Sequence, residues 1–172
     1  MQLALVEDSI PRQPHPLEHY YQSHSGMVFR TAYRLTGSAA DAEDVLQTVF
    51  LRFLRRDPEA IANPESYLRR AAIHASFDLI RERQRRAEAP IEDAPAAAPG
   101  SDADLRECLR RAIARLDPRQ AEIFTLRFIE GHGNSEIAAM LGISQVYVAV
   151  TVHRTRAKLA KEIDKYRQGG QR

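Results

Sequence analysis

The residues whose pattern most clearly indicates a function lie near the carboxyl end of the chain. The run NSEIAAMLGISQVYVAVTVHRTRAKL, residues 134–159, predicts a short helix, a break at Gly142 and a second helix capped by the hydroxyl of Ser144. Cationic or titratable side chains crowd the later part of the second helix: His153, Arg154, Arg156, Lys158 and Lys161. Two short helices across a glycine turn, the second one basic, favour placement of a helix in the DNA major groove.

A second cationic region precedes this one. The formal net charge of the 172 residues is only +2, so the total charge does not by itself indicate nucleic-acid binding. The distribution of charge along the chain is more informative. One short span contains only two acidic residues, Asp78 and Glu82, and six arginines: Arg69, Arg70, Arg81, Arg83, Arg85 and Arg86. An acidic stretch from Glu88 to Glu107 separates the two basic regions. This arrangement indicates two separate contacts with a polyanion.

Composition excludes several other classes of protein. Cys108 is the only cysteine, so neither an internal disulfide nor a cysteine-based metal cluster is expected, and a reducing compartment fits. The amino terminus lacks a basic region followed by an apolar core, and no apolar run reaches the length of a membrane span. We therefore expect a cytoplasmic protein with no membrane span, no cofactor and no bound metal.

Apolar periodicity predicts three helices in the first half of the chain. The first runs from Leu17 to Leu35, and the second from Ala39 to about Arg55 with Ser38 as its cap. The third runs from Pro64 to about Arg86, with Asn63 as its cap and the proline in the first turn, where its missing N–H costs nothing. These helices predict a small amino-terminal bundle.

The second half is also predicted to be helical. Helices are expected over 104–116 and, after the Asp117-Pro118 start signal, to Phe128, before the helix-turn-helix. The segment VYVAVTV, residues 146–152, alternates in the manner of a strand. Its flanks are helical, and the helix penalty of β-branched residues is at most about 0.7 kcal/mol each. We therefore predict a helix there as well.

The predicted architecture is all-α, with two small helical domains joined by a flexible linker, the carboxyl-terminal one being a helix-turn-helix. Residues 1–16 form a proline-containing disordered arm, and residues 17–87 form the amino-terminal domain. The acidic segment 88–103, rich in proline and alanine, cannot bury a core and is the linker. Residues 104–167 form the second domain and 168–172 a short tail.

The chain resembles the extracytoplasmic-function (ECF) sigma factors of bacterial RNA polymerase over roughly Tyr20 to Leu159. The motifs that carry the resemblance are YRLTGSAADAEDVLQTVFLRFL (33–54), YLRRAAIHASFDLIRERQRR (67–86), LDPRQAEIFTLRFIEG (116–131), and EIAAMLGIS followed by HRTRAKL. Their order, interrupted by a proline-rich spacer, is more specific than any one of them. The resemblance implies a subunit without an active site, which binds core RNA polymerase and promoter DNA, both duplex and melted non-template strand. It also implies an anti-sigma factor as partner.

The resemblance further implies that the first domain carries two surfaces. The polymerase clamp would be bound by an acidic and amide face of the second helix: Asp41, Glu43, Asp44, Gln47, Phe50 and Arg52. The minus-ten element would be bound by the third helix, with the loop 56–63 shaping a pocket for an unstacked base: Arg69, Arg70, His74, Arg81, Arg83 and Arg85. A histidine stands at position 74 where many members carry asparagine, which changes the hydrogen-bonding groups offered to a base.

The helix-turn-helix would bind the minus-thirty-five element. The expected contacts are Ser144, Gln145, Tyr147, Thr151, Arg154 and Lys158. Members of the family usually carry Lys, Ser and Arg in this helix, whereas this chain has Ala149, Val150 and Thr151. Alanine and threonine can contact thymine methyl groups but cannot bind guanine in the bidentate manner of arginine.

Two other classes of protein remain as alternatives. An ordinary helix-turn-helix regulator would dimerise on a palindromic duplex without polymerase. This alternative assigns no function to the arginine-rich third helix. A metal-dependent hydrolase is the other alternative. His74 and Asp78 lie four residues apart on a helix and could form a pair of metal ligands. Three carboxylate residues lie earlier in the chain: Asp41, Glu43 and Asp44. No nucleophile motif or phosphate-binding loop accompanies these residues.

Overall fold

The computed structural model describes residues 16–88 and 102–169, and within those ranges the chain is helical with no strand. The α-helices are α1 Pro16–Thr36, α2 Ala39–Leu54, α3 Pro64–Glu88, α4 Asp102–Ala114, α5 Pro118–Phe128, α6 Asn134–Leu141 and α7 Gln145–Gly169. A 3₁₀ turn, Pro58–Ala60, lies between α2 and α3. The all-α prediction is confirmed. Most of the predicted arm, linker and tail lies outside the described residues.

Capping side chains define the starts of the helices in the first half. Ser38 Oγ accepts a hydrogen bond from the Asp41 backbone N–H at 3.3 Å, and Asn63 Oδ1 accepts one from Ser66 at 2.9 Å. Each satisfies an amide that the helix itself leaves without a partner. The predicted loop 56–63 contains the 3₁₀ turn, which begins after Asp57 because its carboxylate accepts from the Glu59 N–H.

The alternating segment 146–152 is helical, as its flanking residues predicted. It forms the first turns of α7, with Ser144 Oγ accepting from the Tyr147 N–H at 3.1 Å. Val148 is fully buried, and Thr151, Thr155 and Leu159 continue the same buried stripe. Burial of a valine side chain stabilises by roughly 1.5–3 kcal/mol, which exceeds the helix penalty of the residue.

The helices form two apolar cores. The first lies between α1, α2 and α3 around Phe53, which is fully buried. The second is built mainly by α4–α7, around Ile123, Leu126 and Ile137. Residues of the first half also belong to this second core: Leu35, Ile73, Phe77 and Ile80. The two halves therefore pack against each other through one side of α3 and the end of α1.

The length and composition of a helix determine whether it could span a membrane. Among the described residues, no single helix is long and apolar enough to cross a bilayer, although α6 and α7 taken together pass that test across their 111° bend.

The turn between α6 and α7 requires a left-handed residue, which yields a stability prediction. Gly142 has φ +62°, and a Cβ built there would meet no atom within 4 Å. Only backbone strain therefore opposes a side chain, and Gly142→Ala is expected to lower the free energy of unfolding by about 1–2 kcal/mol. Gly142→Asn is the matched control, because asparagine tolerates this conformation better. Equal losses for the two variants in urea unfolding would contradict the explanation.

Candidate nucleic-acid interface

The arginine-rich face of α3 is in contact with the second half of the protein. Glu130 follows α5, and its carboxylate lies between the two halves, where the side chain is only 1% exposed. Arg69 Nη1 donates to Glu130 Oε2 at 2.6 Å, and Thr31 Oγ1 donates to the same oxygen at 3.0 Å. Arg34 Nη1 donates to Oε1 at 3.2 Å. All three donors belong to the first half, so this carboxylate joins α1 and α3 to the helix-turn-helix half.

A second carboxylate makes a similar contact with α3, at Arg70 and His74. Glu122 on α5 has a side chain that is 1% exposed. Its Oε1 accepts from Arg70 Nε at 2.7 Å and lies 3.0 Å from His74 Nε2. Arg119 Nη1, from α5 itself, donates to Oε2 at 3.2 Å. The predicted minus-ten residues Arg70 and His74 are therefore both bound to one glutamate of the other half.

These partners keep Glu122 ionised in its buried position. Burial raises the pKa of the Glu122 carboxyl, but hydrogen bonds from His74 and Arg70 and the charges of both groups outweigh it and lower the pKa to about 2. A buried carboxylate without such partners would take up a proton instead. The negative charge of Glu122 is thus part of the contact between the halves.

The remaining predicted minus-ten residues lie toward the end of α3. Arg81 Nε donates to the Ala114 carbonyl at 2.7 Å, which adds a third polar contact between the halves. Arg83 is paired with Asp41, and Arg85 with Glu82, so these two bind partners within the first half. The structure therefore brings the six predicted residues onto one helix but gives every one of them a protein partner.

The predicted polymerase surface on α2 is only partly exposed. Glu43, Asp44, Gln47 and Arg52 face solvent. Asp41 is buried, which corrects its placement on the exposed acidic face, and Phe50 is buried in the apolar stripe of α2. Asp41 binds Arg83, whereas Phe50 packs in the first core.

Two exposed apolar residues beside this surface were missed by the sequence analysis. Tyr21 on α1 is 47% exposed and packs edge-on against Phe50 with ring centroids 4.9 Å apart, and Leu51 on α2 is 56% exposed. Leu51 falls out of the buried period of α2, which is the signal that could have identified it. Both add apolar area beside the acidic face.

The first turns of α7 expose most of their side chains. Gln145, Tyr147, Arg154 and Lys158 are exposed, as is the capping residue Ser144. Thr151 is buried, so its placement among the exposed contacts was wrong; its spacing from the buried Val148 puts it on the core face.

Two residues that were not among the expected contacts take exposed positions on α7. Val146 is 73% exposed and Val150 is 41% exposed, one helical turn apart. Counting helical turns from the core stripe of α7 would have placed both on the outer face.

The metal-dependent alternative finds no support in the position of its residues. His74 lies against Glu122 rather than a carboxylate of its own helix, and Asp78 is 3.6 Å from Arg81. Within 16–88 and 102–169, no three His, Cys, Asp or Glu side chains are grouped so that they could hold a metal ion.

The fold and its surfaces define a two-part helical protein with a helix-turn-helix and a separate arginine-rich helix. The sequence matches the sigma-70 region 2 family over residues 20–86 and the sigma-70 region 4 family over residues 106–159. It is 32% identical over 153 residues to the RNA polymerase sigma-E factor of Streptomyces avermitilis, covering 86% of this chain and 84% of the relative. It is 34% identical over 155 residues to the ECF RNA polymerase sigma factor SigE of Mycolicibacterium smegmatis, covering 84% of this chain and 60% of that protein.

Solved structures share the fold. CnrH, in complex with the cytosolic domain of CnrY, superposes with a TM-score of 0.52 at 24% identity, over 87% of this chain and 88% of that one. The sigma factor RpoE of Bartonella quintana, in complex with the anti-sigma factor NepR, gives 0.51 at 17% identity, over 86% and 96%.

The chain belongs to the ECF sigma factors of bacterial RNA polymerase. It is a transcription initiation factor without enzymatic activity, which binds core RNA polymerase and the minus-ten and minus-thirty-five promoter elements. The two matches account for the arginine-rich helix, which an ordinary helix-turn-helix regulator leaves unexplained.

The lowered pKa of Glu122 predicts a specific acid sensitivity. The folded pKa of about 2 lies below the ordinary value of 4.5, so the stabilisation is complete above about pH 4.5 and is lost as the pH falls towards 2. Between pH 6 and pH 4 the wild-type protein should lose about 1 kcal/mol more unfolding free energy than Glu122→Gln. Urea unfolding at both pH values measures this difference. An identical pH dependence in the two proteins would contradict the ionised, partnered state of Glu122, which faces Arg70, His74 and Arg119.

Proposed function

We propose that three separate surfaces divide the work of promoter recognition. The exposed acidic face of α2 binds the polymerase clamp, the arginine face of α3 binds the melted non-template strand of the minus-ten element, and the start of α7 binds the minus-thirty-five duplex. The observation that carries this proposal is the match of regions 2 and 4, in that order, to the two helical halves that bear these surfaces. The functional domains are then residues 17–87 and 104–167.

The polymerase surface combines charge with a small apolar feature. Glu43, Asp44 and Gln47 are exposed on α2, and a shallow groove between α1 and α2 is lined by Tyr21, Phe29 and other residues next to them. An acidic rim beside exposed aromatic area suits a basic partner helix that inserts one apolar side chain. Arg52 extends the same face toward the end of α2.

The minus-ten surface supplies positive charge along one helix. Arg69, Arg70 and His74 lie within two turns, and Arg81, Arg83 and Arg85 continue toward the end of α3. Opening and extruding a base costs a few kcal/mol, which phosphate contacts from these side chains would offset. The 3₁₀ turn Pro58–Ala60 precedes α3, and we assign the base pocket to this loop.

The minus-thirty-five surface combines an apolar outer face with flanking cations. Val146 and Val150 lie in the first turns of α7, the part of a recognition helix that contacts base edges. Their methyl groups suit the C5-methyl of thymine, whereas Arg154 and Lys158 suit phosphates. Gln145 and Tyr147 supply the polar groups, and Ser144 holds the start of the helix.

We further propose a cytoplasmic protein that an anti-sigma factor controls. The Bartonella RpoE structure contains the anti-sigma factor NepR, and the CnrH structure contains the cytosolic domain of CnrY. Co-purification of the full-length chain from its host, followed by identification of stoichiometric partners, tests this part. Recovery with core polymerase alone under all growth conditions would contradict it.

Charge reversal on α2 should separate polymerase binding from DNA binding. Asp44→Arg places a cation where a basic partner is expected, so affinity for core polymerase should fall at least tenfold, while the isolated chain keeps its affinity for DNA. Arg154→Ala should do the reverse, lowering promoter-dependent transcription about fivefold with unchanged polymerase affinity. Surface plasmon resonance with core polymerase and in vitro transcription provide the two readouts. Loss of the same property in both variants would refute the division of labour.

The valine face of α7 should make promoter use sensitive to thymine methyl groups. After selection of a promoter from a randomised library, replacement of minus-thirty-five thymines by deoxyuracil should reduce wild-type transcription about fourfold per contacted methyl, from roughly 0.8 kcal/mol each. A Val146→Ala/Val150→Ala variant should be weaker on thymine and insensitive to deoxyuracil. Lys158→Ala is the control, since loss of a phosphate contact should weaken both templates equally. A wild-type protein indifferent to deoxyuracil would disprove methyl readout.

A further inference from the structure

Two adjoining cavities lie where the last turns of α3 face α4 and the residues that follow α4. Their volumes are about 290 Å³ and about 680 Å³, and Gln84 and Arg115 line both of them. Four arginines line the smaller cavity: Arg83, Arg110, Arg111 and Arg115. Three line the larger cavity: Arg81, Arg85 and Arg115. The lining of each contains one carboxylate among the described residues, Glu107 in the smaller cavity and Asp78 in the larger one.

The smaller cavity has more hydrogen-bond donors than acceptors. Arg111 Nε donates to Glu107 Oε1 at 2.9 Å, and Arg110 Nη1 lies 3.5 Å from Oε2 of the same carboxylate. One carboxylate therefore serves two guanidinium groups, each of which carries five N–H donors. The remaining donors and the excess of positive charge are available to an anion that enters the cavity.

The end of α1 determines where the Arg110 guanidinium lies. Gly37 has φ +72°, and a Cβ built at this residue would overlap the guanidinium of Arg110. The absence of a side chain at Gly37 thus allows Arg110 to pack directly against the backbone beside the cavity. Arg110 is for this reason held in place before any ligand binds, which lowers the entropy lost on binding.

Gln84 supplies a further donor between the two cavities. Its Nε2 is buried and has no hydrogen-bond partner in the part of the chain that the structure describes. Buried amide groups are normally hydrogen-bonded, so an unpartnered one requires an explanation. An anion in either cavity would provide the acceptor after a rotation of this side chain.

We propose that these two arginine cavities bind a small anion that contains two or more linked phosphate groups. Guanidinium groups bind phosphate oxygens through paired, charge-assisted hydrogen bonds. Two adjoining cavities, each with its own arginines, suit phosphates that are joined in a chain, whereas a single phosphate would occupy only one of them. Residues of α1, α3 and α4 surround the smaller cavity, which suits a compact ligand better than a DNA duplex.

The site goes beyond the proposed function and does not depend on it. Arg110 and Arg111 lie on α4, outside the surfaces that we assign to polymerase and to promoter DNA. Variants of these two residues therefore test ligand binding without changing a proposed promoter contact. Failure of the ligand to bind would leave the division of promoter recognition among α2, α3 and α7 unaffected.

Isothermal titration calorimetry on the full-length chain tests the site, with sodium tripolyphosphate and orthophosphate as probes at about 0.15 M ionic strength. Tripolyphosphate should bind once per chain, with an affinity at least tenfold above that of orthophosphate, because its linked phosphates reach both cavities. Arg110→Gln/Arg111→Gln should lower the tripolyphosphate affinity at least tenfold, since two charge-assisted contacts are lost. The matched control is Arg156→Gln/Lys161→Gln on α7, which makes the same change in net charge at exposed positions and should alter the affinity less than about twofold.

Removal of the carboxylate in the smaller cavity should have the opposite effect. Glu107→Gln takes away a negative charge that competes with the ligand for Arg110 and Arg111, so the tripolyphosphate affinity should rise about threefold or more. A merely structural role of these arginines predicts no such gain. ATP, as a third probe, distinguishes two sources of the phosphate chain: binding at least as tight as that of tripolyphosphate identifies a nucleotide, and weaker binding identifies an inorganic chain.

Circular dichroism verifies that each variant keeps its helix content. If Arg110→Gln/Arg111→Gln unfolds, Arg111→Gln alone is measured, because this side chain is 55% exposed, and its affinity should fall at least about threefold. Equal affinities for orthophosphate and tripolyphosphate would overturn the proposal. It would also be overturned if the folded arginine variants bound tripolyphosphate as tightly as the α7 control, or if Glu107→Gln bound it no more tightly than the wild-type protein.

Discussion

Two glutamate side chains buried between the helical halves make the polar contacts on which the arrangement of this sigma factor depends. Burying a carboxylate costs free energy unless several groups bind it, and Glu122 and Glu130, each 1% exposed, have three side-chain partners apiece. Most of those donors come from the opposite half, so the charges are satisfied only when α3 and α5 face each other. This requirement, together with the apolar packing of Leu35, Ile73, Phe77 and Ile80 in the second core, places α3 against the second half and occupies its arginine face.

The two proposed DNA-binding surfaces differ in their chemistry and surroundings. The proposed minus-ten surface on α3 is rich in arginine and lies against the other half, whereas the proposed minus-thirty-five surface on α7 is exposed and apolar at its outer edge. An apolar recognition face gives little non-specific affinity for phosphate, so most of the long-range attraction must come from flanking cations such as Arg154 and Lys158. Under the proposed function, polymerase brings the two surfaces together on one promoter, which raises the effective concentration of each at its element.

Much of the fold could be predicted from the sequence because local signals agreed with one another. Asn63 and Ser38 cap helices where their side chains predicted, and Gly142 takes the left-handed conformation that ends α6. Even the alternating valines of α7 were predicted correctly as helical, because the flanks and the buried stripe outweighed their β propensity. Patterns confined to one element were therefore reliable guides to structure.

The residues that failed prediction depend on contacts between elements. Asp41 looked like a surface acid at a helix start but is buried against Arg83, a residue 42 positions later. Thr151 looked like a base contact but lies on the core face of α7. The pairing of α3 with Glu122 and Glu130 had no signal in the sequence at all, because nothing in either segment specifies that the two halves meet. Composition predicted where the cations were, but not which groups bind them.

The central claim is that the chain selects promoters for RNA polymerase through two DNA elements. In vitro transcription with purified core polymerase over a library randomised across both elements tests it most directly. The account predicts that transcripts appear only when the protein is added, and that the selected templates share two conserved elements at a narrow range of spacings. Transcription that is unchanged by the protein, or selected templates that share no upstream element, would contradict the account.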